Sequence, residues 1–406
     1  MTESESPGAV CDHGSDSADV VIVGAGPAGL VLGNILLSHG VDCVVLERAA
    51  RDSVESRARA GFLVPHTVRV LERNGLDAGI RRRGREHGVC EFRTEDGRFR
   101  LDYRLLGRGE PHTVYPQHDL VADLLDRYLD GGGRVRFGAE AVAVSDADGP
   151  TPAVTVREAD GRPVLRRARY VAACDGRHGV GRRSLPPGAV RHHRDHGVSW
   201  LGLLAEAPPS LDAVGYSVHP RGFAGHMARS ADITRYYLQC APGTRADAWS
   251  DDHVWGELAL RMRASAYGPL VSGPIVRRAV VDLESDVIEP LRHGSLFLVG
   301  DAAALISPSA AKGANLAVLE AEILGHALVD DLVHGDPRAL DRYSERCLAH
   351  IWRAQEFSRW MIRLLHELPD PGGDSLFRER LRYARLAALR DSASAQHWFA
   401  ENYVGI

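Results

Sequence analysis

Lysine is nearly missing from this chain of 406 residues. Of its 49 basic residues only Lys312 is a lysine, and the other 48 are arginines that are scattered rather than clustered. The net charge of −5 is small for a chain of this size. A nucleic-acid-binding protein carries a basic patch or stripe, so this composition argues against a nucleic-acid partner.

Paired cysteines and long apolar runs are also missing. The six cysteines show no C-x-x-C or other paired spacing, which predicts buried thiols in a reducing compartment and no metal site. The longest apolar run is broken by Gly24, Gly26, Pro27 and Gly29, and it falls short of the roughly 18 residues of a membrane span. Residues 1–17 are acidic and rich in Ser and Gly, without the apolar region of a signal peptide, so we expect a disordered tail. A cytoplasmic protein without a membrane partner is expected.

A glycine-rich turn near the start of the chain is the most informative pattern present. Segment 21–29 reads VIVGAGPAG, in which an apolar strand runs into three glycines and then into a helical pattern. Gly24 permits a tight turn, Gly26 lets the backbone approach a pyrophosphate, and Gly29 lets helix and strand pack closely. A second apolar strand ends on Glu47, where a carboxylate can accept a hydrogen bond from a ribose hydroxyl. The sequence therefore predicts a dinucleotide-binding βαβ unit.

Two later apolar strands each end on an aspartate beside a glycine. They are ACDG at 173–176 and LVGD at 298–301. An acid at the carboxyl end of a strand faces the ligand crevice of an open α/β sheet. In this order the three motifs resemble the signature of FAD-dependent aromatic hydroxylases. The resemblance implies that Asp301 binds the ribityl chain of FAD, and that Asp175 lies where FAD and the nicotinamide meet.

The hydrophobic pattern alternates between two kinds of segment. Apolar strands, glycine turns and amphipathic helices, including a helix over 317–332, predict an FAD-binding domain of three segments, at 18–88, 116–186 and 286–335. Short strands with turn residues between them predict an antiparallel substrate-binding sheet from 89–115 and 187–285, with strands at 197–204, 213–219, 222–227 and 234–240. Residues 336–406 are predicted to be helical. The expected fold class is α/β, a Rossmann-like FAD domain with an inserted antiparallel sheet and a C-terminal helical region.

From residue 20 to residue 405 the chain resembles the 4-hydroxybenzoate 3-monooxygenase family. The matching segments are 57–61 (RARAG), 114–117 (VYPQ), 174–179 (CDGRHG), 200–205 (WLGLLA), 219–224 (HPRGFA), 235–237 (RYY), 311–315 (AKGAN) and 401–405 (ENYVG). The resemblance implies that Arg59 and Gln117 contact the flavin, with Lys312 and Asn315 beside its ring. The scarcity of lysine indicates the same place for Lys312, because a compact ammonium near a flavin stabilises the anionic reduced ring.

The resemblance also implies a substrate site. Arg229 is implied to hold the substrate carboxylate in a bidentate pair, a geometry that arginine supplies and lysine does not. Tyr237 assists it, and the backbone around Pro308 lines the pocket. The implied path for the phenol proton consists of Tyr216, Tyr403 and His87.

Those assignments agree with the chemistry of hydroxylation. The family uses NAD(P)H to reduce FAD and O2 to form a flavin C4a-hydroperoxide, which is a modest electrophile. The aromatic ring must therefore be activated, and a phenolate is more electron-rich than a phenol. Phenols titrate near pH 10, so a tyrosine donor to the phenolate and a histidine outlet that titrates near neutrality are expected.

Several residues depart from the family's pattern. Met227 stands where the family has a serine hydroxyl on the carboxylate, Ala304 and Ser307 replace a histidine and a proline, Arg177 replaces an aromatic residue, and Glu284 replaces an arginine for the nicotinamide nucleotide. Side chains that remain available to the phosphates of the nucleotide are Arg48, Arg51, His178 and Arg182. Met227, Ala304 and Ser307 leave the exact substrate open, and Arg177 and Glu284 leave the choice between NADH and NADPH open.

The sequence predicts a single-component monooxygenase acting on a small aromatic acid. The substrate is 4-hydroxybenzoate or an amino-substituted analogue such as 3-amino-4-hydroxybenzoate, the latter with a role in antibiotic biosynthesis. A homodimer is expected. Two alternatives stay open. A flavin-dependent halogenase shares the fold but carries a W-x-W-x-I-P segment, which no tryptophan here belongs to. A non-catalytic flavoprotein that binds an aromatic acid is the other.

Overall fold

The computed structural model describes residues 17–57, 61–368 and 374–405, and these residues fold around two large β-sheets. The described strands are β1 (Ala18–Val23), β2 (Cys43–Glu47), β3 (Phe62–Leu63), β4 (Arg85–His87), β5 (Val89–Thr94), β6 (Gly97–Asp102), β7 (His112–Val114), β8 (Arg134–Phe137), β9 (Glu140–Ser145), β10 (Ala153–Arg157), β11 (Pro163–Ala173), β12 (Val190–Glu206), β13 (Val214–Ser217), β14 (Ala224–Ala228), β15 (Ile233–Cys240), β16 (Ile275–Glu289), β17 (Arg292–His293), β18 (Leu296–Leu298) and β19 (Ala304–Leu305).

Helices cover the first sheet and pack on both faces of the second. The described helices are α1 (Pro27–Ser38), α2 (Arg51–Glu55), α3 (Pro65–Arg73), α4 (Ala78–Arg83), α5 (Gln117–Asp130), α6 (Val180–Arg183), α7 (Asp251–Arg261), α8 (Ala264–Tyr267), α9 (Gly313–His334), α10 (Arg338–Asp341), α11 (Tyr343–Leu365), α12 (Ser375–Asp391) and α13 (Ala393–Val404). Short 3₁₀ turns lie at Gly300–Ala302 and Pro308–Ala310. No helix of the described residues is long and apolar enough to cross a membrane.

The first sheet has a parallel core in the order β18-β11-β1-β2-β8, with β17 at one edge. Strands β1, β2 and β18 are almost wholly apolar and buried, as expected where helices cover both faces of a parallel sheet. Helix α1 packs against α9 and α5 on this sheet. Parallel strands end at one edge, so the loops after β1, β2, β11 and β18 lie together there.

The second sheet is mainly antiparallel, in the order β19-β16-β12-β15-β14-β13-β5-β6. One face, with Tyr236 and Leu238, packs on α7, while the other, with Trp200 and Tyr216, packs on α11 and α13. A small sheet of β3, β7 and β4 lies beside the second face. The structure confirms the predicted α/β fold class with its antiparallel sheet and C-terminal helices.

The long strands β12 and β16 differ most from the predicted strands. The strand expected at 197–204 is part of β12, and β16 crosses the predicted boundary at residue 285. The extra pairing joins charged stretches, with Arg191 bound to Asp286, and such stretches lack the apolar alternation that marks a strand. The domain division and the homodimer stay predictions.

Candidate active site

The glycine turn after β1 is shaped by two close approaches of backbone and by open space beside Gly26. Gly24 has φ +105°, and a Cβ there would lie 2.5 Å from the carbonyl oxygen of Cys174. A Cβ on Gly29 would lie 2.0 Å from the carbonyl oxygen of Gly24, so helix α1 and the turn touch only because Gly29 has no side chain. A Cβ on Gly26 would meet nothing within 4 Å. The space beside Gly26, at the helix N-terminus with its unpaired first-turn N–H groups, suits a pyrophosphate.

Glu47 ends β2 next to this turn and is buried. Its Oε2 accepts a hydrogen bond from the backbone N–H of Ala25, and its Oε1 accepts one from Ala49, both at 2.9 Å. Each carboxylate oxygen has a further lone pair that can accept from a ribose hydroxyl. Glu47 therefore also fixes the glycine turn, a role that the sequence did not indicate.

Asp175 follows β11 and is held against α6. Its Oδ2 accepts a hydrogen bond from Gly181 at 3.0 Å, and a Cβ on Gly179 would lie only 1.9 Å from its Cγ. The other oxygen, Oδ1, is buried without a hydrogen-bond partner among the described residues. Burial raises the pKa of Asp175. A buried carboxylate oxygen of this kind fits a donor supplied by a bound dinucleotide.

Buried groups fix the loop that carries Asp301. Glu320 of α9 accepts a hydrogen bond from Gly300 at 2.6 Å, and burial raises the pKa of Glu320 to about 8. Arg182 donates to the carbonyl oxygens of Ala302 and Asp301, at 2.7 and 3.0 Å. The guanidinium of Arg182 thus holds the Asp301 loop, whereas Arg48 and His178, also expected at the nicotinamide nucleotide, are exposed.

Asn315 fastens the start of α9 to β3. Its Oδ1 accepts from the N–H of Val64 at 2.9 Å, and its Nδ2 donates to the carbonyl oxygens of Phe62 and Ala311 at 2.9 and 2.7 Å. These bonds engage both ends of its amide, so the structure gives Asn315 a scaffold role. Gln117, the first residue of α5, is buried. Arg59 lies outside the described residues.

The predicted substrate residues share one face of the second sheet. Tyr216 pairs with Gly225, which in turn pairs with Tyr237, and residues directly opposite each other in antiparallel strands point to the same face. Two residues further along this face, Met227 pairs with Arg235. Arg229 follows two residues after Met227, just beyond β14, and its N–H donates to the carbonyl of Ile233 at 2.9 Å in the hairpin. The second sheet therefore brings Tyr216, Met227, Arg229 and Tyr237 together.

Two guanidinium groups at this face favour an anionic ligand. Burial, and to a lesser degree the neighbouring charge of Arg235, lowers the pKa of Arg229 to about 10. Arg235 stacks over the ring of Tyr237 with its Cζ 6.0 Å from the ring centroid. A bound carboxylate relieves both the loss of hydration and the repulsion between the two cations. The sequence analysis did not single out Arg235.

Two hydrogen-bonded pairs occupy the proton path expected from the sequence. The hydroxyls of Tyr216 and Tyr403 are 2.7 Å apart, and burial raises the pKa of both. His87 is instead paired with Tyr103, whose hydroxyl lies 2.9 Å from its Nδ1. Within the described residues no hydrogen bond joins Tyr403 to His87. The expectation that His87 titrates near neutrality is wrong in this structure, since burial and then Arg104 lower its pKa to about 4.

Lys312 lies inside the protein at the start of α9. Its side chain is 1% exposed, so it does not occupy an exposed turn. The ammonium donates to the carbonyl oxygens of Tyr403, at 2.9 Å, and Gly405. Burial lowers the pKa of Lys312 to about 7. Lys312 thus ties the end of α13, and with it Tyr403, to the segment after Asp301.

Two of the departures from the family's pattern contact each other. Arg177 Nη1 and Glu284 Oε2 form an ion pair at 2.5 Å, so each charge compensates the other. Pro308 is exposed in a 3₁₀ turn, and the adjoining Ala310 packs in the same core as Tyr216 and Tyr403. No group of three or more metal-ligating side chains is placed to hold a metal within residues 17–57, 61–368 and 374–405.

Comparison with known proteins identifies the family of the chain. A model of the FAD binding domain family matches residues 17–358. The p-hydroxybenzoate hydroxylase of Acinetobacter baylyi is 37% identical over 388 residues, covering 95% of each chain. A 3-amino-4-hydroxybenzoate 2-monooxygenase of Streptomyces platensis is 30% identical, over 89% of this chain and 91% of the relative. The solved structure of p-nitrophenol 4-monooxygenase from Pseudomonas putida has the same fold, with a TM-score of 0.76 at 20% identity over 96% of this chain and 99% of that chain.

Residue similarity and geometry therefore lead to one assignment. The dinucleotide cradle fits FAD, and the relatives are aromatic hydroxylases over nearly the full length of the chain. Such enzymes use NAD(P)H and O2 as co-substrates. The chain belongs to the p-hydroxybenzoate hydroxylase family of FAD-dependent aromatic hydroxylases.

Proposed function

We propose that this hydroxylase acts on 4-hydroxybenzoate and places one oxygen atom ortho to the phenol hydroxyl. The observation that carries the proposal is the buried hydroxyl pair of Tyr216, on the second sheet, and Tyr403, on α13, which are 2.7 Å apart. Arg229 follows β14, the strand paired with that of Tyr216. 4-Hydroxybenzoate carries a phenol hydroxyl that can bind to the tyrosine pair and a carboxylate that can bind to Arg229.

The protein's own residues perform three tasks in this proposal. Arg229, supported by Arg235 and Tyr237, binds the carboxylate and sets the orientation of the ring. Tyr216 donates a hydrogen bond to the phenolate, and burial keeps the tyrosine pair protonated by raising its pKa. The aromatic residues around the pair exclude water. Bound FAD supplies reducing equivalents taken from NAD(P)H and activates O2.

The placement of the glycine turn, Glu47 and the two aspartates supports the cofactor contacts proposed for them. Gly24, Gly26, Gly29 and Glu47 form the cradle for the adenosine and pyrophosphate side of FAD. The segments after β11 and β18 bring Asp175 and Asp301 to the same edge of the sheet, and we assign the ribityl chain to Asp301. Further contacts are proposed for Arg59, Gln117, Lys312 and Asn315, and contacts with the nicotinamide nucleotide for Arg48, His178 and Arg182.

The second candidate substrate is 3-amino-4-hydroxybenzoate. Met227 favours it, because a thioether on the substrate face offers no hydroxyl to the carboxylate and fills space with a flexible apolar chain. The Streptomyces platensis relative is named for that reaction. An enzyme with this substrate is expected to serve the synthesis of an antibiotic-type product.

A substrate screen tests the proposal directly. The holoenzyme is given 4-hydroxybenzoate, 3-amino-4-hydroxybenzoate or benzoate, with NADH and with NADPH, and both nucleotide oxidation and product mass are measured. We expect 4-hydroxybenzoate to stimulate oxidation and to yield 3,4-dihydroxybenzoate, whereas benzoate yields no hydroxylated product. Stimulated oxidation that ends only in H2O2 with both phenols, or a halogenated product in the presence of chloride, contradicts the proposal.

A further inference from the structure

The hydrogen-bond partner of His87 is Tyr103, which has no role in the catalytic steps described above. Tyr103 directly follows β6 and is fully buried. Its hydroxyl donates to the backbone carbonyl oxygen of His87 at 2.8 Å, and it also lies 2.9 Å from the Nδ1 of His87. A single hydroxyl therefore contacts His87 twice.

This double contact selects one tautomer of His87. A phenol hydroxyl has one hydrogen, which here goes to the carbonyl oxygen, and lone pairs that accept. The contact with Nδ1 is then a hydrogen bond only if Nδ1 carries the hydrogen and donates it to the Tyr103 oxygen. Neutral imidazole has one N–H, so Nε2 is the bare nitrogen that can accept a proton.

Tyr103 also touches the tyrosine pair. Its ring meets the ring of Tyr403 edge to face, with centroids 5.3 Å apart, and Tyr403 shares its hydroxyl bond with Tyr216. The rings of Tyr103 and His87 are 6.3 Å apart. His87 is only partly buried, which gives its imidazole access to solvent. Tyr103 thus contacts both Tyr403 of the buried pair and the half-buried His87.

Burial, more than the charges nearby, keeps the imidazole of His87 neutral. Arg104 lowers the pKa of His87 and Asp212 raises it, but burial has the larger effect and lowers it to about 4. His112, opposite His87 in the β4–β7 pair, is itself buried with a lowered pKa, and it contacts the carbonyl oxygen of Tyr403 at 3.1 Å. At neutral pH the tautomer of His87, and not its charge, therefore decides which nitrogen is the acceptor.

We propose that Tyr103 is a positioning residue of the proton outlet, holding His87 with its Nδ1–H toward Tyr103 and its Nε2 available as acceptor. The inference rests on the proposed function, because the proton to be removed is that of the substrate phenol. In the step, the phenol gives its proton to the tyrosine pair, a proton leaves the pair, and Nε2 of His87 accepts it and returns it to solvent. The phenol becomes a phenolate, and no electrons are exchanged.

Nitrogen NMR of the holoenzyme tests the tautomer. The protein is labelled with ¹⁵N-histidine, and the His87 signals are assigned with His87→Gln. We expect a protonated Nδ1 and a bare Nε2 in the parent, and a shift toward the Nε2–H tautomer in Tyr103→Phe, which keeps the ring and removes only the hydroxyl. Tyr128→Phe, at a buried tyrosine of helix α5 in the core around the first sheet, serves as the control and leaves His87 unchanged. A parent His87 with protonated Nε2, or no shift in Tyr103→Phe, overturns the proposal.

A pH jump tests the outlet itself. Oxidised holoenzyme with bound 4-hydroxybenzoate is moved from pH 6 to pH 9, and the rise of phenolate absorbance is followed by stopped flow. We expect Tyr103→Phe to slow this rise by about 10-fold. This effect is smaller than the roughly 10²- to 10⁴-fold contributed by a group that transfers protons directly. In the His87→Gln background the same substitution should add nothing, whereas independent slowing contradicts the inference. A parent that never forms the bound phenolate refutes the proposed function, while a normal parent with an unaffected Tyr103→Phe refutes only the role of Tyr103.

Discussion

Removing the charge of Arg229 should separate recognition of the carboxylate from recognition of the phenol. Burial holds the pKa of Arg229 at about 10 instead of 12.5, so keeping this guanidinium charged at the site costs about 3 kcal/mol. A bound carboxylate compensates that cost. We therefore expect Arg229→Gln to weaken binding of 4-hydroxybenzoate by about 3 kcal/mol, a rise in Kd of roughly 100-fold.

The effect should be confined to ligands that carry a carboxylate. Kd is measured from the quenching of flavin fluorescence in the oxidised holoenzyme, for 4-hydroxybenzoate and for phenol. Phenol has no anion for Arg229, so its Kd should change by less than about 3-fold in Arg229→Gln. Arg245→Gln, at an exposed arginine paired with Asp247, is the matched control and should leave both constants unchanged.

Two results would refute this reasoning. Equal weakening of 4-hydroxybenzoate and phenol would mean that Arg229 supports the shape of the pocket and not the carboxylate. An unchanged Kd for 4-hydroxybenzoate would place the carboxylate at another group, of which Arg235 is the nearest cation on the same sheet face.

Three further changes have distinct expected results. Tyr216→Phe should still oxidise NAD(P)H but yield mostly H2O2, because the phenolate loses its hydrogen-bond donor. The measurement is the yield of hydroxylated product per NAD(P)H oxidised. The control Tyr236→Phe, on the opposite sheet face, should keep the product yield of the parent. Lys312→Met should remove a pH dependence of stability, because the pKa of Lys312 is about 7 in the folded protein against 10.5 in the unfolded chain. In urea unfolding the parent should therefore gain stability relative to the variant as pH rises above 7, by roughly 3 kcal/mol at pH 9.5. A difference between the two proteins that stays constant with pH would show that Lys312 titrates normally. Glu284→Gln should lower the KM for NAD(P)H several-fold by removing a negative charge near Arg177 and His178, whereas an unchanged KM would place the nucleotide elsewhere.

The parts of the molecule that the sequence predicts well depend on local spacing. The glycine turn, Glu47 at the end of β2 and the aspartates after β11 and β18 each follow an apolar strand at a fixed offset. Those offsets place them at one edge of a parallel sheet whatever the rest of the chain does. The α/β fold class follows from the same patterns.

The parts that the sequence does not predict depend on contacts between distant segments. Tyr103 and Glu320 have no motif around them, and their roles come from what they meet: the imidazole of His87, and the N–H of Gly300. The pKa of His87 was mispredicted because its neighbours on β4 and β7, not its residue type, set its hydration. The bond between Asn315 and Val64 spans 251 positions and has no local signature.

The hydroxyl contact between Tyr216 and Tyr403 spans 187 positions of the chain. During synthesis the glycine turn and β2 emerge early, so the FAD cradle can begin to form long before α13 exists. Tyr403 arrives with α13, and Lys312 then fastens that helix by its last carbonyls. A chain whose α13 has not docked therefore lacks the hydrogen-bond partner of the Tyr216 hydroxyl. In the proposed function, docking of the last helix therefore completes the hydroxyl pair that receives the phenol proton.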